Sequence, residues 1–238
     1  MNCDSKVCLK VKTWIWLVGL ILVLANGCSD NDFNDREKDY FPLKTGWFWE
    51  YQVEEITYNP FSSPVEKNYF LRIEVADSIL SSEGDYLYIW YRYIRNAINE
   101  DWQFDQTWSA RKYAGYALVS EGNITYARLA FPVYVNRVWN GNLFNNNAED
   151  YYRIISKSAS GIDMQPGIDQ EDVVEVEQEN VFNNLTYRDV RKEWYANNVG
   201  LVKKESEVWT YRCSGGTCIG EIESGYALRL TLMSFGRD

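Results

Sequence analysis

The sequence predicts an all-β fold, a single antiparallel domain over residues 40–238. Apolar and polar residues alternate with period two along several runs. Turn-forming residues separate those runs, and after residue 27 no segment carries an apolar stripe of helical period. Successive side chains of a strand point to opposite faces, so this alternation marks strands with one buried and one wet face.

Taken in order, Trp47, Trp49, Tyr51 and Val53 alternate with Phe48, Glu50, Gln52 and Glu54. Tyr69, Leu71, Ile73 and Val75 alternate with Asn68, Phe70, Arg72 and Glu74. Residues 85–95 (DYLYIWYRYIR) are apolar on both sides and predict a central strand covered on both faces. Residues 96–110 are polar enough to admit a short helix. Further strands are expected near 124–135, 151–156, 173–178, 188–195 and 201–211. A last one carries Tyr226, Leu228, Leu230 and Leu232 on one face. Glu83-Gly84-Asp85, Asn140-Gly141-Asn142, Gln165-Pro166-Gly167 and Asn197-Asn198 supply turns between them.

Composition bounds the chemistry. The 238 residues contain no histidine, which removes imidazole bases, Ser-His-Asp and Cys-His nucleophiles and histidine-ligated metals. The formal net charge of −10 argues against a nucleic-acid partner, which needs a basic face. Ten Trp, 18 Tyr and 10 Phe provide ample material for a core or for a binding face. No cofactor and no metal site is expected.

Residues 1–27 read as an export signal. Lys6, Lys10 and Lys12 precede an apolar run from Trp14 to Ala25 that is 12 residues long. A membrane-spanning helix needs about 20, so the run suits a signal peptide. Leu24-Ala25-Asn26-Gly27-Cys28 resembles the lipobox of bacterial lipoproteins, with Ala25 where leucine is usual. The resemblance implies cleavage before Cys28, acylation of that cysteine and a membrane as partner. A plain signal peptide and an uncleaved anchor are the competing readings. Residues 28–39 form a polar, acidic tether similar to the export signal of Bacteroidetes-type surface lipoproteins, which implies display on the outer face of the outer membrane. Asp30-x-Asp32-x-Asn34 starts like a calcium loop, but Asp35 and Phe41 stand where such a loop needs Gly and Glu. Cleavage removes three basic residues and Asp4, taking the net charge from −10 to −12.

Cys3 and Cys8 leave with the signal and Cys28 carries lipid, so Cys213 and Cys218 remain as a disulfide pair. They flank Ser214-Gly215-Gly216-Thr217, a four-residue turn suited to a hairpin staple rather than to a Cys-x-x-Cys redox site.

Two segments resemble an uncharacterised family of Bacteroidetes-type outer-membrane lipoproteins. Phe41-Pro42-Leu43-Lys44-Thr45-Gly46-Trp47-Phe48-Trp49-Glu50-Tyr51 is similar to its FPL-x-x-G-x-x-W-x-Y opening. Tyr195-Ala196-Asn197-Asn198-Val199-Gly200-Leu201-Val202-Lys203 is similar to its closing hairpin. The resemblance implies a strongly curved sheet, a half-barrel or a β-sandwich, and brings no known activity.

Candidate chemistry is sparse. A glycosidase needs two carboxylates and no histidine. Glu54-Glu55, Glu149-Asp150 and Glu171-Asp172 are neighbours, which on a strand face opposite ways. Glu175 and Glu177 share a face, read as a solvated one. Trp102 and Trp108, six apart and so on one strand face, are candidates for stacking on a glycan or for the core. Asp77-Ser78-Ile79 resembles the O-glycosylation motif of Bacteroidetes-type envelope proteins, with Ser78 the acceptor or simply the start of a turn. Asn123-Ile124-Thr125 and Asn184-Leu185-Thr186 fit the N-glycosylation pattern, which a bacterial lipoprotein is not expected to use. The expectation is a lipid-anchored, surface-exposed binding protein without catalysis, its partner a glycan or a protein. The alternatives are a carboxylate-only glycan hydrolase and an apolar-ligand carrier with a half-barrel groove.

Overall fold

A computed structural model describes residues 40–82, 84–158, 168 and 172–237. The signal segment, Cys28, the tether, the 165–167 turn and Glu171 lie outside the described residues. Twelve antiparallel strands form one sheet, and no helix occurs among the described residues. The first six strands are β1 (Trp47–Asn59), β2 (Ser62–Leu80), β3 (Tyr86–Arg95), β4 (Gln103–Tyr113), β5 (Tyr116–Glu121) and β6 (Ile124–Ala130). The rest are β7 (Val138–Asn140), β8 (Tyr151–Ser156), β9 (Val173–Val181), β10 (Tyr187–Ala196), β11 (Gly200–Ser214) and β12 (Thr217–Arg237).

The strand order is β6-β5-β4-β3-β2-β1-β12-β11-β10-β9-β8-β7. The chain thus runs outward to one edge, crosses to the other edge, and returns so that β12 pairs with β1. Laid flat, 12 strands would span roughly 53 Å at the usual inter-strand spacing. The segment joining β6 to β7 reaches roughly 28 Å at full extension, so the two edges can be joined only if the sheet curls. It does curl, into a nearly closed barrel. Ala127 N–H donates to the Gly141 carbonyl at 2.9 Å, and the Trp139 indole N–H donates to the Ala127 carbonyl at 2.8 Å. These bonds bridge the seam between β6 and β7 in place of a ladder.

A barrel of about eight strands is just filled by its own side chains, and more strands leave space within. Large residues occupy much of that space here. Phe41, Trp49, Tyr51, Trp90, Trp139, Tyr152 and Tyr195 are all buried. The expected buried faces of β1 and β2 hold, and that of β12 holds except at Tyr226, which is exposed: Trp49, Tyr51, Val53, Leu71, Ile73, Val75, Leu230 and Leu232 are buried, with Trp47, Tyr69 and Leu228 packed at their margin.

Three expectations are corrected. In β3 only Trp90 is buried, because the barrel interior covers one face of this strand and the other stays open. On the other face Tyr91 and Tyr93 meet Phe104 of β4 edge-on, with Tyr91 37% and Phe104 59% exposed. Residues 96–102 are turns rather than helix, and β4 follows, paired to β3. Pairing with a neighbour overrides the weak local preference of this polar run. The strand predicted at 124–135 stops at Ala130, where Pro132 brings no N–H to a ladder. The expected disulfide is present: Cys213 and Cys218 face each other across the β11–β12 hairpin.

Candidate functional site

Inside the barrel lies a cavity of about 280 Å³. Its walls are mostly apolar and aromatic, including Phe41, Trp49, Tyr51, Leu71, Trp90 and Trp108. Residues 41–51 and 195–203 form one wall together. Phe41, Pro42, Trp49 and Tyr51 come from the first, and Tyr195, Gly200 and Leu201 from the second. The Trp49 indole N–H donates to the Val199 carbonyl at 2.5 Å, and the Tyr51 hydroxyl donates to the Leu201 carbonyl at 2.9 Å. Pro42 lies against Gly200, so close that a Cβ there would sit 3.4 Å from the proline ring.

The lining also holds three cations, Arg92, Arg128 and Lys204, and two carboxylates, Glu121 and Glu193. Glu193 is 2% exposed. It pairs across the β10–β11 ladder with Lys204, whose Nζ is 2.9 Å away. Glu193 also accepts from the Tyr195 hydroxyl at 2.5 Å and lies 3.5 Å from Arg128. Burial alone would favour the neutral acid; Lys204, Arg128 and the Tyr195 hydroxyl outweigh it and lower the Glu193 pKa to about 2. Arg128 ion-pairs with Glu121 as well. Burial opposes its charge, and Glu121 and Glu193 reverse that, holding its pKa above the ordinary arginine value. Arg128 reaches this position through an irregularity. The register between β5 and β6 slips so that Ala117 faces Leu129 and Leu118 faces Ala127, leaving Arg128 between them unpaired in the ladder.

Arg92 is held differently. Its guanidinium carbon stacks 4.1 Å above the centre of the Trp108 ring, and its nearest anion is Asp105 at 3.6 Å. Burial lowers the Arg92 pKa, with Asp105 foremost among the groups that oppose the shift. Its Nε is buried without an acceptor, and so is the indole nitrogen of Trp90, two residues back on the same face of β3.

Trp102 and Trp108 do not share a face. The register slips between Arg92/Tyr93 and their β4 partners Gln106 and Phe104, so Asp105 is an extra residue and the alternation reverses beyond it. Trp108 lines the cavity, while Trp102 precedes β4 and stacks on Arg95, which pairs with Phe70 on the outward register. Glu175 and Glu177 are not solvated as expected. Lys192 pairs with Glu175 at 2.8 Å; Glu177 is buried and pairs with Arg153 at 2.8 Å. Ser78 is half-buried within β2 opposite Tyr88, so it does not begin a turn; its N–H donates to the Asp77 carboxylate.

Sequence reasoning missed Arg92, Arg128, Glu193 and Lys204. The available signal was a charge set among apolar neighbours: Arg128 between Ala127 and Leu129, and Glu193 before Trp194-Tyr195-Ala196. A charge in such company is buried and partnered, or it costs several kcal/mol. Among the described residues no group of three or more acidic or cysteine side chains is arranged to hold a metal ion.

No family model matches the chain, and no curated protein matches it. Two solved structures are similar in backbone path. One is a protein described as exported, with a YmcC-like fold, from Bacteroides fragilis; it is 12% identical, with 83% of this chain and 98% of that one covered and a TM-score of 0.44. The other is a protein described as a lipoprotein from Parabacteroides distasonis, 11% identical, with the same coverage and a TM-score of 0.36. At these levels neither likeness bears on what this chain does.

Proposed function

We propose that the chain is a lipid-anchored binding protein of the cell envelope that holds a small amphipathic ligand inside its barrel without transforming it. The observation that carries this reading is the 280 Å³ cavity, aromatic on most sides and charged on one. Its volume lies just below the usual range of ligand pockets, about 300–1,000 Å³. That suits a single ring system or a short chain better than an oligosaccharide or a two-chain lipid. Trp108 therefore serves the ligand cavity rather than an external glycan platform. Glycoside hydrolysis needs a carboxylic acid that stays protonated near neutrality. Glu193 is held in the opposite state, and burial keeps Tyr51 and Tyr195 protonated well above their ordinary range. None of the three exchanges a proton near pH 7. The lipobox-like residues at Cys28 and the acidic segment behind it support an anchor on the outer membrane, facing outward.

Calorimetry of the full chain with neutral probes of suitable size, 2-naphthamide and octanamide, tests the cavity. One-to-one binding that is lost in Leu228→Trp, which fills the cavity, supports the reading. No binding by the unaltered chain, or equal binding by the variant, overturns it. The address is tested by Cys28→Ala and cell fractionation: the variant is expected to leave the outer-membrane fraction, and its retention there rules out the lipid anchor.

A further inference from the structure

We propose that the ligand carries a carboxylate, received by the guanidinium of Arg92; this rests on the reading of the cavity as a ligand site. The charges lining the cavity do not balance. Glu193 and Glu121 are taken up by Lys204 and Arg128, through contacts at 2.9 Å and 3.5 Å to Glu193 and the Arg128–Glu121 pair. Arg92 is the cation left over. Among the described residues its only anion within ion-pair reach is Asp105, which does not line the cavity, lies 3.6 Å off, and accepts a hydrogen bond from Gln106 besides.

The chemistry of the guanidinium points to an oxygen acid. Trp108 stacks on the guanidinium plane, which holds that plane fixed and leaves its in-plane N–H groups for an acceptor. A planar guanidinium matches the two oxygens of a carboxylate. The surplus in the lining is one charge, which fits a monoanion; a phosphate monoester would bring about −1.5 to −2.

Matched probes separate this inference from the reading beneath it. 2-Naphthoate and 2-naphthamide share shape and differ in charge, and calorimetry on the full chain compares them. The carboxylate is expected to bind roughly tenfold tighter, the ratio set by one hydrogen bond to a charged group. Arg92→Gln should bring the two within about twofold while naphthamide affinity persists, and Arg92→Lys should recover part of the preference. If naphthamide binds and naphthoate binds no tighter, the carboxylate inference fails and the cavity reading stands. If neither binds, the cavity reading itself fails. A preference that survives Arg92→Gln assigns the anion to Arg128 or Lys204 and overturns the role of Arg92. Tighter binding of 2-naphthyl phosphate than of naphthoate overturns the choice of carboxylate.

Discussion

The indole N–H of Trp49 donates to the carbonyl oxygen of Val199 at 2.5 Å, across a separation of 150 residues. Both ends are buried, so the bond forms in a medium where neither group has water as a substitute. It ties the start of β1 to the β10–β11 turn, and the wall it creates faces the cavity. Trp49→Phe keeps most of the packing and deletes the donor. Stranding the Val199 carbonyl is expected to cost about 1–3 kcal/mol, read as a lower urea midpoint at unchanged slope.

Glu193 sits between Lys204 and Arg128, and all three line one cavity. Removing the carboxylate leaves two cations facing each other with little water. Glu193→Ala is expected to destabilise by about 3–5 kcal/mol, the range for breaking a buried ion pair from one side. A double variant, Glu193→Leu with Lys204→Met, should cost less than the sum of the single changes, because it removes the stranded charge along with its partner. Chemical denaturation of the three variants measures the coupling.

The same carboxylate gives stability a pH dependence of known sign. Its folded pKa of about 2 lies below the ordinary 4.5, so the unfolded chain binds the proton more readily. The contribution is fully present above about pH 4.5 and is lost as pH falls toward 2. Unfolding in that window should take up a proton through Glu193. The curve for Glu193→Gln should accordingly be flatter there, and parallel slopes for the two proteins between pH 5 and 2 would contradict the assignment.

Gly225 lies in β12 where the long β11–β12 hairpin runs on past the tip of β1. Its φ is +137°, and a Cβ there would lie 2.1 Å from the Val208 carbonyl and 2.5 Å from the Trp209 Cα. No side-chain rotation relieves a clash with backbone. Gly225→Ala is expected to cost about 3 kcal/mol from strain and overpacking together. Faster amide exchange should concentrate at Val208–Trp209 and Tyr58, the strands paired around it. The equivalent change at Gly220, where nothing lies within 4 Å, meets only the positive φ of +77° and should cost less.

How much of this was legible in the sequence depended on how local the cause was. Alternation in β1, β2 and β12 follows from two-residue periodicity, and those faces were read correctly from Trp49, Leu71 and Leu230 alone. The hairpin disulfide was legible because its cysteines stand only five positions apart. Strand β5, six residues long and buried on both faces at Ala117, Leu118 and Val119, offered no alternation to read. The faces of Trp102 and Arg128 were lost for another reason. Each lies beside a one-residue slip in register, and a slip of one residue turns every side chain beyond it to the other face. A bulge is fixed by the partner strand, so it leaves no mark in its own.

By itself the sequence determined an antiparallel all-β chain with aromatic buried faces and a stapled hairpin. Those features depend on residues two to six positions apart. Only the tertiary structure decided that the sheet closes on itself, because closure depends on β6 and β7 meeting edge to edge at opposite ends of a 12-strand order. Closure in turn brings Arg92, Arg128, Glu193 and Lys204 from four strands into one space. Charge balance there is a property of proximity across the barrel, which no stretch of the chain contains.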